Sequence, residues 1–345
     1  MKQKVNLFIL FSTIASSFTT IFIPFILFKK GYFIKEILLF FILVYFYSIL
    51  NLLVIKQIKS IKIYYFYPIS FLLFIIFLYK INNCFLFSLT AYLYSLYMSL
   101  YFSFRNILSI ENIKYKDKTK TSIYVVFNLI GLIIGTLIGY FNVFSNKTSI
   151  VISSFIFMLL SALVVIKKYN FSYNKVHKFK ANTILFLFFD QLKYTIITFS
   201  SLYIYTSINS KIKYIVLVNI LSYVSSIIFI LIKKSKTINY YRVVILLSIL
   251  FIIKFNTESK NLLLVIVFFE GICRYVLENI TLKKIYKDCF KKCLVEYSVL
   301  VELIKNIFRF LIMIIFYLLN FNMYQILIIS CVLLSLTIFI KYDNV

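Results

Sequence analysis

Apolar segments long enough to cross a lipid bilayer recur twelve times along this 345-residue chain, with short polar stretches between them. A helix needs about 20 apolar residues to cross the hydrocarbon core. These runs lack the alternation of barrel strands, and backbone polar groups inside a membrane must be satisfied within each segment, so we predict helices. The predicted spans are 5–28, 36–55, 63–80, 84–107, 122–143, 149–166, 182–207, 213–232, 240–256, 261–282, 295–319 and 322–340.

The loops between the predicted spans alternate between rich and poor in Lys and Arg. The amino terminus, the even-numbered loops and the carboxyl terminus hold 24 of the 38 basic residues, the other loops hold 9, and 5 lie inside spans. Basic loops stay on the cytoplasmic side of a membrane, so both termini are predicted to be cytoplasmic. In this count Lys254, near the end of span nine, belongs to an outer loop.

The composition excludes an ordinary soluble domain, because 62% of the residues are hydrophobic whereas soluble domains contain roughly 45–50%. The net charge of +27 lies in short loops beside the spans, which favours anionic lipid headgroups over nucleic acid as a partner. Abundant Lys, Asn, Ile, Phe and Tyr, with 5 Gly and no Trp, are typical of an AT-rich genome. We therefore expect a protein of a bacterial cell membrane.

Metal and cofactor chemistry has little support in the sequence. The single histidine, His177, lies in a basic loop, and Cys289 and Cys293 have no histidine beside them, so we expect reduced thiols and neither metal nor cofactor. The sequence has no P-loop pattern, which argues against ATP hydrolysis by that route.

The chain divides into two halves around its longest basic loop. Residues 168–180 are predicted to be a cytoplasmic linker between six-helix bundles at 1–167 and 181–345. Glu111-Asn112-Ile113 after span four is echoed by Glu278-Asn279-Ile280 after span ten, as expected for a repeated six-span unit, although chance matching also explains such an echo.

Two local patterns accompany this layout of twelve spans in two halves. Ile23-Pro24-Phe25 ends span one, and Lys30-Gly31-Tyr32 and Glu36 lead into span two. The glycines of span five are Gly131, Gly135 and Gly139. Their spacing of four favours close helix packing, with an exchange-type motif typical of exporters as the alternative. With this layout, these patterns make the chain resemble the major facilitator superfamily over essentially its whole length. The resemblance implies an all-α membrane protein of two pseudo-symmetric six-helix bundles, whose spans one, four, seven and ten line a central cavity.

The loop signatures of that family are eroded here. Asn51 and Ile55 stand where the family's loop between spans two and three has Gly and Asp, and only Lys56 and Lys59 fit the pattern. The resemblance therefore rests on topology more than on motifs, and a gating salt bridge that uses that Asp is not expected.

Charged residues inside the spans are the main candidates for function, because each costs about 2.5–3.5 kcal/mol at a helix centre. By the resemblance, Arg105, Asp190, Lys193, Glu270 and Arg274 lie on cavity-lining spans. Glu270 and Asp190 are candidates for proton coupling and Arg105 and Arg274 for holding an anionic group. Pairing of Glu270 with Arg274, or of Asp190 with Lys193, as a structural salt bridge is the alternative.

Two further stripes follow helical spacing. Glu302, Lys305 and Arg309 in span eleven are predicted to form an interhelical packing bridge. Tyr94, Tyr97, Tyr101 and Arg105 share one face of span four. These tyrosines line a site for an organic molecule or pack within the bundle, and both alternatives stay open at this point.

These observations favour a secondary active transporter rather than an enzyme. We expect a monomer that moves a small organic molecule or peptide by alternating access, with protons as the coupling ion and export favoured over import. The alternatives are a lipid or polysaccharide flippase, a membrane-embedded transferase, and a non-transporting immunity or sensor protein.

Overall fold

A computed structural model describes residues 2–20, 22–58, 61–113, 118–143, 147–165, 181–207, 212–232, 240–289 and 294–336. These residues form thirteen α-helices and one 3-10 helix, and none of them forms a β-strand. The helices are α1 (Lys2–Thr20), α2 (Ile23–Lys29), α3 (Ile34–Gln57), α4 (Tyr67–Lys80), α5 (Cys84–Ile113), α6 (Lys118–Val143), α7 (Lys147–Val165), α8 (Ala181–Ser207), α9 (Ile212–Ile232), α10 (Tyr240–Asn256), α11 (Lys260–Cys289), α12 (Leu294–Leu318) and α13 (Met323–Ser335). The 3-10 helix, Ile61–Phe66, leads directly into α4.

The first predicted span differs from the structure because it is broken into two helices. Residues 5–28 are predicted as one helix, but α1 ends at Thr20 and α2 begins at Ile23, with Pro24 in its first turn. A proline ring removes a backbone donor and clashes with the carbonyl four residues earlier, which here belongs to Thr20. The break therefore falls where the proline requires it.

Helices α5 and α11 are longer than their predicted spans. Each has 30 residues, which corresponds to about 45 Å, whereas the hydrocarbon core is about 30 Å thick. The additional turns follow residues 107 and 282, the predicted cytoplasmic ends of spans four and ten. Both helices therefore extend beyond the apolar segments that identified them.

Helix packing repeats between the two halves of the chain. Corresponding pairs are α1–α6 and α8–α12, α1–α7 and α8–α13, α3–α5 and α9–α11, α4–α5 and α10–α11, and α4–α7 and α10–α13. The chain thus forms two pseudo-symmetric six-helix bundles, as predicted. The linker at 168–180, with His177, and Cys293 lie outside the described residues, so the boundaries of the two domains stay a prediction.

The bundles meet mainly through two symmetry-related contacts, α3 against α12 and α6 against α9. Further contacts join α5 to α12 and α2 to α8. Side chains on α3, α5, α8 and α12 therefore come together between the bundles.

The outer surface of the bundles is apolar. Among the described residues, Ile34–Gln57, Lys62–Lys80, Cys84–Leu108 and Ile212–Ile232 are long and apolar enough to cross a membrane, and other apolar helices are shorter. Leu53 on α3, Ile249 on α10 and Ile315 on α12 are exposed. Soluble proteins rarely expose large continuous apolar surfaces, so the fold and its surface indicate a multi-pass membrane protein.

Candidate functional site

A group of charged and polar side chains lies between the bundles, and we call it the central cluster. Its members are Tyr45 on α3, Asn106 on α5, Asp190, Gln191, Lys193 and Tyr194 on α8, and Glu302, Lys305 and Arg309 on α12. The structure thus brings the predicted pair of span seven together with the predicted stripe of span eleven.

Each carboxylate of the central cluster has a lysine partner on its own helix. Lys193 Nζ lies 2.6 Å from Asp190 Oδ1, and Lys305 Nζ lies 2.9 Å from Glu302 Oε1. Both pairs have i,i+3 spacing, at which side chains on one helix are neighbours. The lysines therefore neutralise carboxylates that would otherwise be costly to bury.

Neutral amides connect these pairs to other helices. Asn106 Nδ2 donates to Glu302 Oε1 over 2.8 Å, which joins the two bundles directly. Within the second bundle, Arg309 Nε donates to Gln191 Oε1 over 2.7 Å. Neither amide belongs to the predicted set of functional residues, because Asn and Gln give no signal in a search for charges.

Arg309 occupies the middle of the cluster. Its side chain is only 7% exposed. The guanidinium carbon lies 4.2 Å from the centre of the Tyr194 ring and 5.8 Å from that of Tyr45, distances at which an aromatic face attracts a cation. Arg309 therefore contacts both bundles, through Tyr45 of the first and Tyr194 of the second.

A second charged group is buried inside the second bundle. Glu270 Oε2 on α11 lies 2.7 Å from Lys254 Nζ on α10, and Glu270 Oε1 lies 3.5 Å from Arg274. The side chains of Lys254 and Glu270 are 3% and 2% exposed. The predicted Glu270–Arg274 contact is thus present, but the shorter bond is made by Lys254.

The assignment of Lys254 to an outer loop is wrong, because α10 continues to Asn256 and buries this residue. Helical side chains tilt toward the amino terminus of their helix. Since α10 and α11 are consecutive and joined by a short turn, this tilt brings Lys254 and Glu270 toward one another. The apolar neighbours Ile253 and Phe255 are the sequence signal that could have placed Lys254 inside the span.

Arg105 is held within the first bundle. Its guanidinium donates to Asn128 Oδ1 on α6 over 2.9 Å, and Thr13 on α1 donates to the same oxygen over 3.0 Å. One amide thus connects α1, α5 and α6. A role for Arg105 in holding an anionic group stays a prediction.

The tyrosine stripe of α5 forms a continuous aromatic stack inside the first bundle. Tyr94, Tyr97 and Tyr101 are at most 3% exposed. The ring centres of Tyr97 and Tyr101 are 5.3 Å apart, and Phe71 and Phe74 on α4 each lie 4.5 Å from a ring of this stack. The ring faces therefore pack against α4, and substrate binding by these tyrosines stays a prediction.

Glycines mark the closest approaches between helices. A Cβ atom at Gly131 would lie 2.9 Å from Thr13 Cβ, and one at Gly135 would lie 2.6 Å from the Ile14 carbonyl oxygen. Gly139, the third glycine of α6, is buried. Gly271 on α11, which the sequence analysis missed, approaches α9 in the same way.

Comparisons with known proteins support the fold. No family model and no curated protein sequence matches the chain. Three solved structures each match over 98% of both chains. A bacterial homologue of the iron transporter ferroportin, in an outward-facing state, matches with a TM-score of 0.66 and 12% identity. The nucleoside transporter NupG matches with a TM-score of 0.64 and 12% identity, and the human organic anion transporter MFSD10 with a TM-score of 0.60 and 8% identity. The chain therefore has the fold of the major facilitator superfamily.

Proposed function

We propose that this protein is a secondary active transporter that moves a small organic molecule or peptide across the cell membrane by alternating access. In this proposal both termini are cytoplasmic, protons drive the cycle, and the cargo is exported. The two bundles rock about a site near the middle of the membrane.

The observation that supports this function best is a charged cluster, partly or fully buried, between two contacts that join the bundles. Toward the predicted cytoplasmic side, Asn106 bonds to Glu302. Toward the predicted outer side, the ring centre of Tyr205 on α8 lies 5.6 Å from that of Phe25 and 6.3 Å from that of Phe28 on α2. Breaking one contact at a time would open the cluster to one side of the membrane.

Glu270 remains the leading candidate for proton coupling, with Asp190 as the second. Protonation of a carboxylate removes its attraction to neighbouring cations. For Glu270 these cations are Lys254 and Arg274, which belong to α10 and α11. A proton on Glu270 would therefore loosen a contact between two helices of the second bundle.

Transport can be tested in proteoliposomes that contain the pH dye pyranine. We expect at least one compound from a panel of organic acids, amines and nucleosides to change the internal pH only when the protein is present. Glu270→Gln should abolish this change while exchange of the same labelled compound continues. Glu258→Gln, which alters an exposed glutamate between α10 and α11, is the matched control. Compound-driven proton movement in Glu270→Gln equal to that of the wild type would contradict the coupling role.

A further inference from the structure

Arg309 is the surplus cation of the central cluster. Asp190 and Glu302 are each paired with a lysine, and within the described part of the chain no carboxylate forms an ion pair with Arg309. Its Nε atom donates to Gln191, and no described residue accepts a hydrogen bond from the two terminal nitrogens of the guanidinium. The guanidinium of this arginine, which is 7% exposed, thus makes one hydrogen bond to the described residues.

The ring of a tyrosine whose hydroxyl is unsatisfied lies beside the same guanidinium. The Tyr45 hydroxyl is buried and has no hydrogen-bond partner among the described residues, while the Tyr45 ring contacts Arg309. Leaving a buried donor unsatisfied costs about 1–3 kcal/mol, and more for a charged group. The unsatisfied hydroxyl of Tyr45 and the guanidinium of Arg309, on helices from different bundles, indicate a place that an acceptor can fill.

The chemistry of these donors specifies the acceptor. A guanidinium presents parallel N–H groups that match the two oxygens of a carboxylate or phosphate, and a phenol adds one more donor. Tyr194 stacks on Arg309. Its ring would provide an apolar surface for the body of an organic ligand.

We propose that Arg309 and Tyr45 bind the carboxylate or phosphate group of a water-soluble organic anion, whose body lies against Tyr194. This proposal rests on the transporter function and names its substrate class. It gives Arg309 a role beyond the packing bridge that its sequence spacing predicts.

The position of the site favours a soluble anion over a lipid headgroup. Tyr45, Tyr194 and Arg309 lie near the middle of α3, α8 and α12. Headgroups begin about 15 Å from the midplane of a 30 Å hydrocarbon core. A lipid would have to move its headgroup by that distance, whereas a soluble molecule needs only an opening between the bundles.

Binding can be measured with the purified full chain in a neutral detergent, as the rise in melting temperature with ligand concentration. The probes are benzoate and phenyl phosphate, the neutral benzamide, and phosphatidylglycerol. We expect the two soluble anions to stabilise the protein and benzamide to have no effect. Arg309→Gln should raise the half-saturating concentration about 10- to 100-fold and Tyr45→Phe about 10-fold, as expected for lost hydrogen bonds to a charged group.

Lys35→Gln is the matched control, because it removes an exposed cation near Tyr317, away from the central cluster. It should bind as the wild type does. If Arg309→Gln does not fold, the conservative Tyr45→Phe decides the question. The proposal is overturned if neither soluble anion stabilises the wild type, if only phosphatidylglycerol does, or if Tyr45→Phe binds both anions with unchanged affinity.

The same variants separate the substrate class from the transporter function. If the anions bind through Arg309 but are not moved in proteoliposomes, the anion-binding site is supported and the transporter function is contradicted. If organic acids of the panel are moved equally well by Arg309→Gln, the transport function is supported and this site is overturned.

Discussion

At the scale of single residues, the pair of Lys254 and Glu270 shows how a membrane bundle tolerates charge. Their side chains are 3% and 2% exposed and their charged atoms lie 2.7 Å apart. A buried pair gains little over apolar residues of similar volume, but removal of one partner leaves a charge without compensation. The two residues are therefore expected to behave as a unit in stability experiments.

We predict that Lys254→Met destabilises the protein by about 3–5 kcal/mol, because Glu270 is then buried without its closest cation. The double variant Lys254→Met/Glu270→Leu should recover most of that loss. Thermal unfolding in detergent measures both, with Lys260→Met as the control because Lys260 is exposed at the start of α11. A double variant less stable than Lys254→Met would show that the pair itself is strongly stabilising.

The sequence identifies contacts along one helix better than contacts between helices. The Asp190–Lys193 and Glu302–Lys305 pairs follow from i,i+3 spacing alone. The bond of Asn106 to Glu302 depends on how far each helix is rotated about its axis. Hydropathy does not predict how far each helix is rotated about its axis, so neutral partners such as Asn106 are found only in the structure.

At the scale of helices, hydropathy predicts where apolar segments lie but not where hydrogen bonding ends. The apolar segment of span ten ends at residue 282, but the backbone hydrogen bonds of α11 continue to Cys289. The break between α1 and α2 is different, since Pro24 and the steric rule for proline together are sufficient to predict it.

The close approach of helices at three glycines predicts an order of destabilisation for alanine substitutions. A Cβ atom at Gly131, Gly135 or Gly271 would approach the nearest backbone oxygen of the neighbouring helix to 3.0, 2.6 or 2.1 Å. Since a backbone oxygen moves only with its helix, alanine substitution should destabilise in that order, by about 1–3 kcal/mol, the usual range for overpacking. Melting temperatures of the three variants test this order. Leu137→Ala, on an exposed face of α6, is the control and should change stability least.

At the scale of the whole molecule, the alternation of basic loops and the twelve apolar segments were enough to predict two six-helix bundles, and the structure confirms that fold. They could not predict which helices join the bundles, because the lipid-facing and partner-facing sides of α3 and α6 are both apolar. The contacts of α3 with α12 and of α6 with α9 therefore had to come from the structure or from the family resemblance.

The contact of Asn106 with Glu302 leads to a prediction about movement of the bundles. Asn106→Ala removes a bond between bundles, so it should favour the state that is open to the predicted cytoplasmic side. Asn51→Ala is a matched control, because Asn51 makes a similar bond to Ser95 within the first bundle. Loss of that bond should leave the balance between open states unchanged.

Distances between spin labels in a cysteine-free chain measure this balance. One pair joins Lys56 and Ile232 near the predicted cytoplasmic ends of α3 and α9, and the other joins Phe85 and Glu258 near the predicted outer ends, where all four side chains are exposed. In Asn106→Ala the inner distance should lengthen as the outer distance shortens, because the two bundles move as bodies. If both distances lengthen together, the bundles separate rather than rock, and alternating access would lose its structural support.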